Sequence, residues 1–219
     1  MSMFLVLFLL PMVAGFAAQA WVRRAVARAQ DVPAGMTGAE AAHRILARHG
    51  AMQVRVETSQ DGPLTDHYDP REQVIRLSDQ IYNRSSAAAV AIAAHECGHA
   101  LQHHTAHTMF RVRSALAPSA AIASQLWVLP LMLGVFAGFA GLIWVAVALF
   151  SAVLLFHLVT LPVEIDASRR AMRILREDGM IDTHTAPAAR GVLTAAASTY
   201  LVAALTSIAM LIFILGARR

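Results

Sequence analysis

Three residues with metal-binding and acid–base side chains lie near the middle of the sequence, as His95-Glu96-x-x-His99. Two histidines four residues apart on a helix share one face, with Cβ atoms about 5–6 Å apart, so both imidazoles can bind one Zn²⁺ ion. Glu96 follows the first histidine and is free to act as general base toward a water molecule that the metal activates. The spacing therefore predicts a zinc centre with His95 and His99 as ligands and Glu96 as the catalytic base.

This chemistry requires the motif to lie on a helix. The preceding residues 85–94 are rich in alanine, which favours a helix, and begin with serines that can cap its first turn. Cys97 is the only cysteine, so no disulfide can form within the chain, and we expect it to be a small buried residue facing away from the two histidines. An ordinary helix with histidines on its polar side would show the same spacing.

The composition is that of a membrane protein. Of the 219 residues, 57% are hydrophobic, and several runs reach the roughly 20 apolar residues that cross a bilayer as a helix. The net charge of +4 comes from 18 basic residues, all of them arginine. These arginines cluster beside the apolar runs, which is typical of membrane orientation, and no basic stripe indicates a nucleic-acid partner.

The order of segments predicts a mostly α-helical integral membrane protein with about four transmembrane helices. The predicted divisions are an N-terminal transmembrane anchor (1–22), a membrane-associated catalytic domain (23–115), a transmembrane helical hairpin (116–163), a helix offering a third metal ligand (164–190) and a C-terminal transmembrane helix (191–219). Arginines follow the first apolar run and do not precede it, which favours an uncleaved anchor over a signal peptide. We expect Pro130 to kink the hairpin's first helix and the hairpin to turn at residues 138–141.

Residues 23–115 predict a small α+β domain. Thr37 and Glu40 form a capping box that opens a helix, and residues 52–57 and 73–78 alternate as half-buried strands. We expect a short antiparallel sheet followed by the motif helix. The strand at residues 73–77 could offer an edge to which an extended peptide pairs.

A catalytic zinc site needs a third protein ligand and an open position for water. About fifty residues without a charged side chain separate Arg113 from Glu164, enough for two membrane passes that return the chain to the side it left. Glu164 can therefore supply the third ligand, although an acid at a helix start is also favoured by the helix dipole. Asp166 and His103 are rival ligands.

Three blocks of the sequence resemble the neutral zinc metallopeptidase family of small bacterial integral-membrane proteins (YugP-like), of the HExxH gluzincin type. The blocks are residues 64–70 with the strand ending at Ser78, residues 94–102 around the motif, and residues 161–168. The resemblance implies a zincin-like metallopeptidase domain with Zn²⁺ as cofactor. It also implies that His95, His99 and Glu164 hold the zinc and that Glu96 is the base.

The sequence is also similar to a distant clan of CAAX prenyl and heat-shock membrane proteases, in which the ligand Glu is followed four residues later by Asp. Here Ser168 takes that position, so we expect another group to orient a ligand histidine, with Asp166 as the candidate. His67, Tyr68 and His157 are candidates for stabilising the oxyanion of the reaction.

These observations predict a zinc-dependent metalloendopeptidase that acts on peptides or membrane proteins at the lipid bilayer, with Glu96 as general base. The resemblance implies a multi-pass protein of the bacterial inner membrane, and the arginine distribution predicts that its catalytic domain faces the cytoplasm. A non-catalytic scaffold or adaptor with structural or no zinc is the alternative. A transporter is a further class, although the long uncharged runs offer little to line a polar path. The sequence does not identify a protein partner.

Overall fold

The computed structural model describes the backbone of residues 2–216 and the side chains of residue 9 and residues 11–216. The helices are α1 (Ser2–Gln30), α2 (Gly38–Arg48), α3 (Asp79–Asn83), α4 (Ala87–His104), α5 (Thr108–Leu126), α6 (Val128–Phe136), α7 (Ala140–Glu177) and α8 (Thr185–Gly216). The strands are β1 (Arg55–Thr58), β2 (His67–Asp69) and β3 (Val74–Leu77). The protein is thus mostly helical, as the sequence predicts.

Three helical stretches in the described part of the chain are long and apolar enough to cross a membrane: α5 together with α6, then α7, then α8. α1 has 29 residues, but the side chains of residues 1–8 and 10, in the first half of the predicted anchor, lie outside the described residues. Residues 217–219 of the predicted C-terminal helix lie outside them too. The fourth membrane span therefore stays a prediction.

The turn of the predicted helical hairpin lies where the sequence indicates. α6 ends at Phe136, and Gly138 has a φ of +64°, a left-handed conformation that glycine adopts without strain. The break expected near Pro130 lies at Trp127, between α5 and α6. Because proline has no N–H, Pro130 cannot donate to the carbonyl of Leu126 four residues earlier.

The small sheet differs from the antiparallel sheet predicted. Its strand order is β1-β3-β2, with β1 parallel and β2 antiparallel to β3. β3 is therefore the central strand, and the prediction that residues 73–77 offer an edge to a substrate is wrong. The local alternation of apolar and polar residues identifies strands but not their order, because the order is set by contacts distant in sequence.

Side-chain caps fix the starts of α2 and α4. The Thr37 amide donates to Glu40 Oε2 (2.7 Å) and the Glu40 amide donates to Thr37 Oγ1 (3.1 Å), completing the predicted capping box. The Ser86 hydroxyl accepts a hydrogen bond from the Ala89 amide (3.2 Å). α4 is buried along most of its length, Cys97 included, and contacts α2, α7 and α8. It is the central helix of the fold.

α7 runs without interruption through Pro162 to its end. The sequence predicts a separate helix starting at Glu164, but this residue lies in the interior of α7, so a helix-start role is wrong. The next turn of α7 touches α4: a Cβ added to Gly98 would lie 2.8 Å from the Ala167 carbonyl oxygen. This close approach places Glu164 beside the motif histidines.

Candidate metal centre

The side chains of His95, His99 and Glu164 meet between α4 and α7. Glu164 Oε2 lies 3.2 Å from His95 Nε2 and 3.5 Å from His99 Nε2. The two imidazole rings are nearly perpendicular, at 83°, with centroids 4.8 Å apart. One ligand atom from each residue lies within 4.8 Å of the others, and among the described residues this is the one group of three or more such side chains that could hold a metal ion.

The donor atoms fit Zn²⁺. Two imidazole nitrogens and one carboxylate oxygen are a ligand set of catalytic zinc sites, in which a fourth position stays open. His99 and Glu164 are buried, and His95 is partly buried. Glu164 Oε1 is buried without a hydrogen-bond partner in the described part of the chain, which is unfavourable for a carboxylate unless a cation compensates it.

Arg113 of α5 partly supplies that compensation. Its Nη2 lies 3.2 Å from Glu164 Oε1, on the other side of the carboxylate from the histidines. The arginine therefore favours the ionised form of Glu164, with Oε2 turned toward the two imidazoles. Tyr200 of α8 also interacts with Glu164, so three helices besides α4 contribute to the surroundings of the candidate ligands.

Both candidate ligand histidines make contacts through their outer nitrogens. His95 Nδ1 lies 3.2 Å from the Ser168 hydroxyl oxygen, and His99 Nδ1 lies 3.0 Å from Gln102 Oε1. When each Nδ1 carries the proton and donates to these oxygens, each Nε2 keeps its lone pair for a metal. Gln102 Oε1 can only accept, so it selects this tautomer for His99, and the Ser168 hydroxyl is able to accept from His95 in the same tautomer.

Asp166 contributes to this arrangement indirectly. Its Oδ2 accepts hydrogen bonds from Gln102 Nε2 (2.8 Å) and Arg170 Nε (2.6 Å), and it lies outside the metal group. Gln102 Nε2 also donates to the Val163 carbonyl (2.9 Å). Asp166 therefore supports His99 through Gln102, whereas Ser168, the residue that departs from the clan's pattern, contacts His95 directly.

Glu96 is buried, with 7% of its surface exposed, and none of the hydrogen bonds among the described residues involves its carboxylate. Burial raises the pKa of Glu96 to about 7; the negative charges of Glu164 and Asp66 raise it too, while His95 and His67 lower it. A carboxylate with this pKa can take up and release a proton near neutral pH.

The candidates on β2 make contacts elsewhere. The Tyr68 hydroxyl lies 2.8 Å from His103 Nδ1, so the rival ligand His103 pairs with a tyrosine and stands outside the metal group. His67 Nδ1 lies 2.7 Å from the Thr65 carbonyl oxygen. His67 still acts electrostatically on Glu96, so it lies near the candidate base.

His157 lies away from the metal group of His95, His99 and Glu164. It precedes Glu164 by two turns of α7, which is about 10 Å along the helix axis. Its Nδ1 lies 2.8 Å from the Ser207 hydroxyl of α8. The histidine therefore links two membrane-length helices.

Three residues at this site were not among those predicted from the sequence: Gln102, Arg113 and Tyr200. Gln102 could have been noticed as a polar side chain one turn after His99 on a helix that is otherwise apolar. Arg113 is the last charged residue before the long uncharged run. No local pattern marks Tyr200, since its contact depends on how α8 packs against α7.

The fold and the site define a mostly helical protein with membrane-length helices, in which the motif helix and a glutamate from a later helix assemble a two-histidine, one-glutamate group. The chain belongs to the family described as "Putative neutral zinc metallopeptidase", which matches residues 4–219. It is 42% identical to "Putative membrane protease YugP" of Bacillus subtilis (strain 168) over 178 residues, covering 81% of this chain and 79% of that relative. No solved structure matches the chain. The predicted family membership is confirmed.

Proposed function

We propose that this protein is a membrane-embedded zinc metalloendopeptidase that hydrolyses peptides or membrane proteins at the bilayer. The observation that carries the proposal is the convergence of His95, His99 and Glu164, with ligand atoms within 4.8 Å of one another. Membership of a family described as zinc metallopeptidases supports it. When bound, Zn²⁺ polarises the scissile carbonyl and lowers the pKa of water to about 7.

The protein's own side chains then have distinct tasks. Glu96 accepts the proton of the attacking water and passes it to the leaving amine. Gln102 and Ser168 hold the two imidazoles in the required tautomer, and the Arg113 guanidinium pairs with the Glu164 carboxylate. Of the three predicted donors to the oxyanion, we favour His67, because its ring is near enough to Glu96 to affect the pKa of that carboxyl.

An extended substrate would have to pair with β1 or β2, because β3 is paired on both sides. β2 carries His67 and packs against the motif helix. The edge of β2 is therefore the better candidate for contact with the substrate backbone.

We also propose a multi-pass location in the bacterial inner membrane, with the catalytic domain facing the cytoplasm. Large apolar side chains point outward along the membrane-length helices, among them Leu129 (60% exposed), Leu205 (56%) and Ile212 (65%), and a lipid phase would cover them. Arginines near the end of α1, the end of α7 and the start of α8 lie on one side, which the positive-inside rule assigns to the cytoplasm.

Cleavage of a labelled, unfolded protein by the detergent-purified, zinc-supplied enzyme tests the activity. We expect Glu96→Gln to lower the cleavage rate by about 10²–10⁴-fold, the contribution of a general base, with its metal retained. Glu72→Gln, an exposed acid that is not part of the metal group, serves as the matched control and should cleave like wild type. Equal cleavage by wild type and Glu96→Gln would favour the non-catalytic scaffold.

A further inference from the structure

Arginines from three helices line a groove at one end of the helical bundle. The groove has a volume of about 930 Å³ and is lined by Arg24 and Arg28 of α1, Arg176 of α7 and Arg190 of α8. All four arginines are exposed. We call it the arginine groove.

A second groove of about 600 Å³ shares Arg176 and Arg190 with the first and adds Arg169 and Arg173. It extends along α7 to Ser168, the residue whose hydroxyl contacts His95. The two grooves together form a continuous basic surface.

The arginines of the arginine groove differ from other arginines of the protein in their ion pairs. None of the ion pairs among the described residues includes any of the four, and Glu177 is the one acidic residue among those lining either groove. Other arginines of α2, α5 and α7 do pair with carboxylates. Guanidinium groups that share a groove without counter-charge repel one another, so binding an anion there is favourable.

The rest of the groove is mostly apolar, apart from Thr183 and Thr194. Ala17 and Trp21 of α1 and Pro187 of α8 form its remaining walls, with other small residues. Tryptophan is typical of the membrane–water interface, and the groove lies where α7 ends and α8 begins, two helices long and apolar enough to span a membrane. A ligand suited to this groove has an anionic group and an adjoining apolar part.

We propose that the arginine groove binds the headgroup phosphate of an anionic phospholipid, with its acyl chains running along α1 and α8 past Trp21. The planar guanidinium group donates two parallel hydrogen bonds to phosphate oxygens. Inorganic phosphate offers the same oxygens without the apolar part, and phosphatidylcholine offers the apolar part without net negative charge. The proposal rests on the proposed membrane location and is independent of peptidase activity.

Native mass spectrometry of the zinc-supplied, full-length protein with equimolar dioleoyl phosphatidylglycerol and dioleoyl phosphatidylcholine tests the proposal. We expect wild type to retain phosphatidylglycerol about tenfold better, as charge-assisted contacts to a phosphate imply. The double variant Arg176→Gln/Arg190→Gln should lose this preference. The control Arg44→Gln/Arg71→Gln removes the same charge from two exposed arginines without ion pairs and should keep it.

Equal retention of the two lipids by wild type, or an unchanged preference in the groove variant, would overturn the proposal. A loss shared by the control would assign the effect to net charge and would overturn it as well. If millimolar inorganic phosphate displaces phosphatidylglycerol completely, the groove is a site for a soluble ion and not for a lipid.

Zinc content, measured in parallel, separates this proposal from that of the metal centre. A groove variant that keeps its zinc but loses the lipid supports the lipid site alone. If the variant also loses its zinc, Arg24→Gln/Arg28→Gln, on the opposite wall of the groove, provides the same test without altering α7.

Discussion

The orientation of His99 depends on Gln102, whose side chain is completely buried. Its Oε1 faces His99 Nδ1, and its two N–H groups donate to the Val163 carbonyl and to Asp166. Every hydrogen-bonding group of the amide except the second oxygen lone pair is thus used. Replacing it with an apolar side chain would leave two buried polar groups, His99 Nδ1 and the Val163 carbonyl, and the partly exposed Asp166 without this partner.

We therefore expect Gln102→Met, which keeps the approximate volume, to weaken zinc binding by about 10–100-fold, the usual effect of losing a group that orients a ligand. Competition with a chromogenic chelator measures the affinity. Gln125→Met, on the exposed face of α5, is the matched control. An unchanged affinity in Gln102→Met would show that His99 is oriented by other groups.

The protonation of Glu96 should govern the pH dependence of cleavage. A general base must be ionised, and burial raises the pKa of Glu96 to about 7. Hence kcat/KM should fall as the pH drops through about 7 and reach its plateau above that pH. A pH–rate profile with one peptide substrate measures this. A rate that stays level down to the ordinary pKa of a glutamate, about 4.3, would contradict the assignment.

Two of the three residues of the metal group, His95 and His99, could be predicted from their spacing on one helix face. The return of the chain across two apolar runs made Glu164 a candidate beside Asp166 and His103, and the family resemblance was needed to choose it. The hydrogen bonds made by Ser168 and Gln102 could not be predicted in this way. They depend on the rotation of α4 against α7, which is set by close packing and not by a local pattern.

The contact between Gly98 of α4 and Ala167 of α7 sets the separation of the two helices that carry the candidate ligands. The atoms nearest to a Cβ at position 98 belong to the backbone of Ala167, so they cannot move aside as a flexible side chain would. A larger residue here must push the helices apart. Glu164 would then move away from the histidines.

We expect Gly98→Ala to destabilise the fold by about 1–3 kcal/mol, as overpacking does, and to weaken zinc binding in addition. Chelator competition and thermal unfolding in detergent measure the two effects. Gly191→Ala is the matched control, because this helical glycine has no atom within 4 Å of the added Cβ, and its stability should rise by up to about 1 kcal/mol. If both variants bind zinc like wild type, the contact does not set the geometry of the site.

Elements with strong local signals were predicted well. The capping box of α2, the serine cap of α4 and the turn at Gly138 agree with the structure. The continuity of α7 through Pro162 was not predicted, because a proline in a soluble helix usually breaks or ends it, whereas membrane helices tolerate proline when neighbouring groups satisfy the freed carbonyl. The central position of β3 likewise depends on long-range pairing.

The polar domain (residues 31–107, which hold α2–α4 and the sheet) lies at one end of the membrane-length helices, and the turn between α6 and α7 lies at the other. Cys97 is fully buried, so single introduced cysteines can report accessibility. Met52 (78% exposed) lies in the polar domain, and Phe139 (62% exposed) lies in the turn. These two positions distinguish the sides of the membrane.

In spheroplasts of a bacterial host, we expect a membrane-impermeant maleimide to label Phe139→Cys. Met52→Cys should be labelled only after lysis, because the positive-inside rule places the arginine-rich side in the cytoplasm. Wild type, with Cys97 alone, is the control and should stay unlabelled. The reverse labelling would place the metal centre on the outer side.

The most direct test of the three-ligand zinc centre is the metal content of the detergent-purified protein. It is measured for wild type, Glu164→Ala and Glu96→Gln. We expect about one zinc ion per chain in wild type and in Glu96→Gln, and loss of the zinc in Glu164→Ala, because a catalytic zinc site has three protein ligands and the base is not one of them. Wild type that binds no zinc when the ion is supplied, or Glu164→Ala that keeps its full zinc content, would contradict the three-ligand centre.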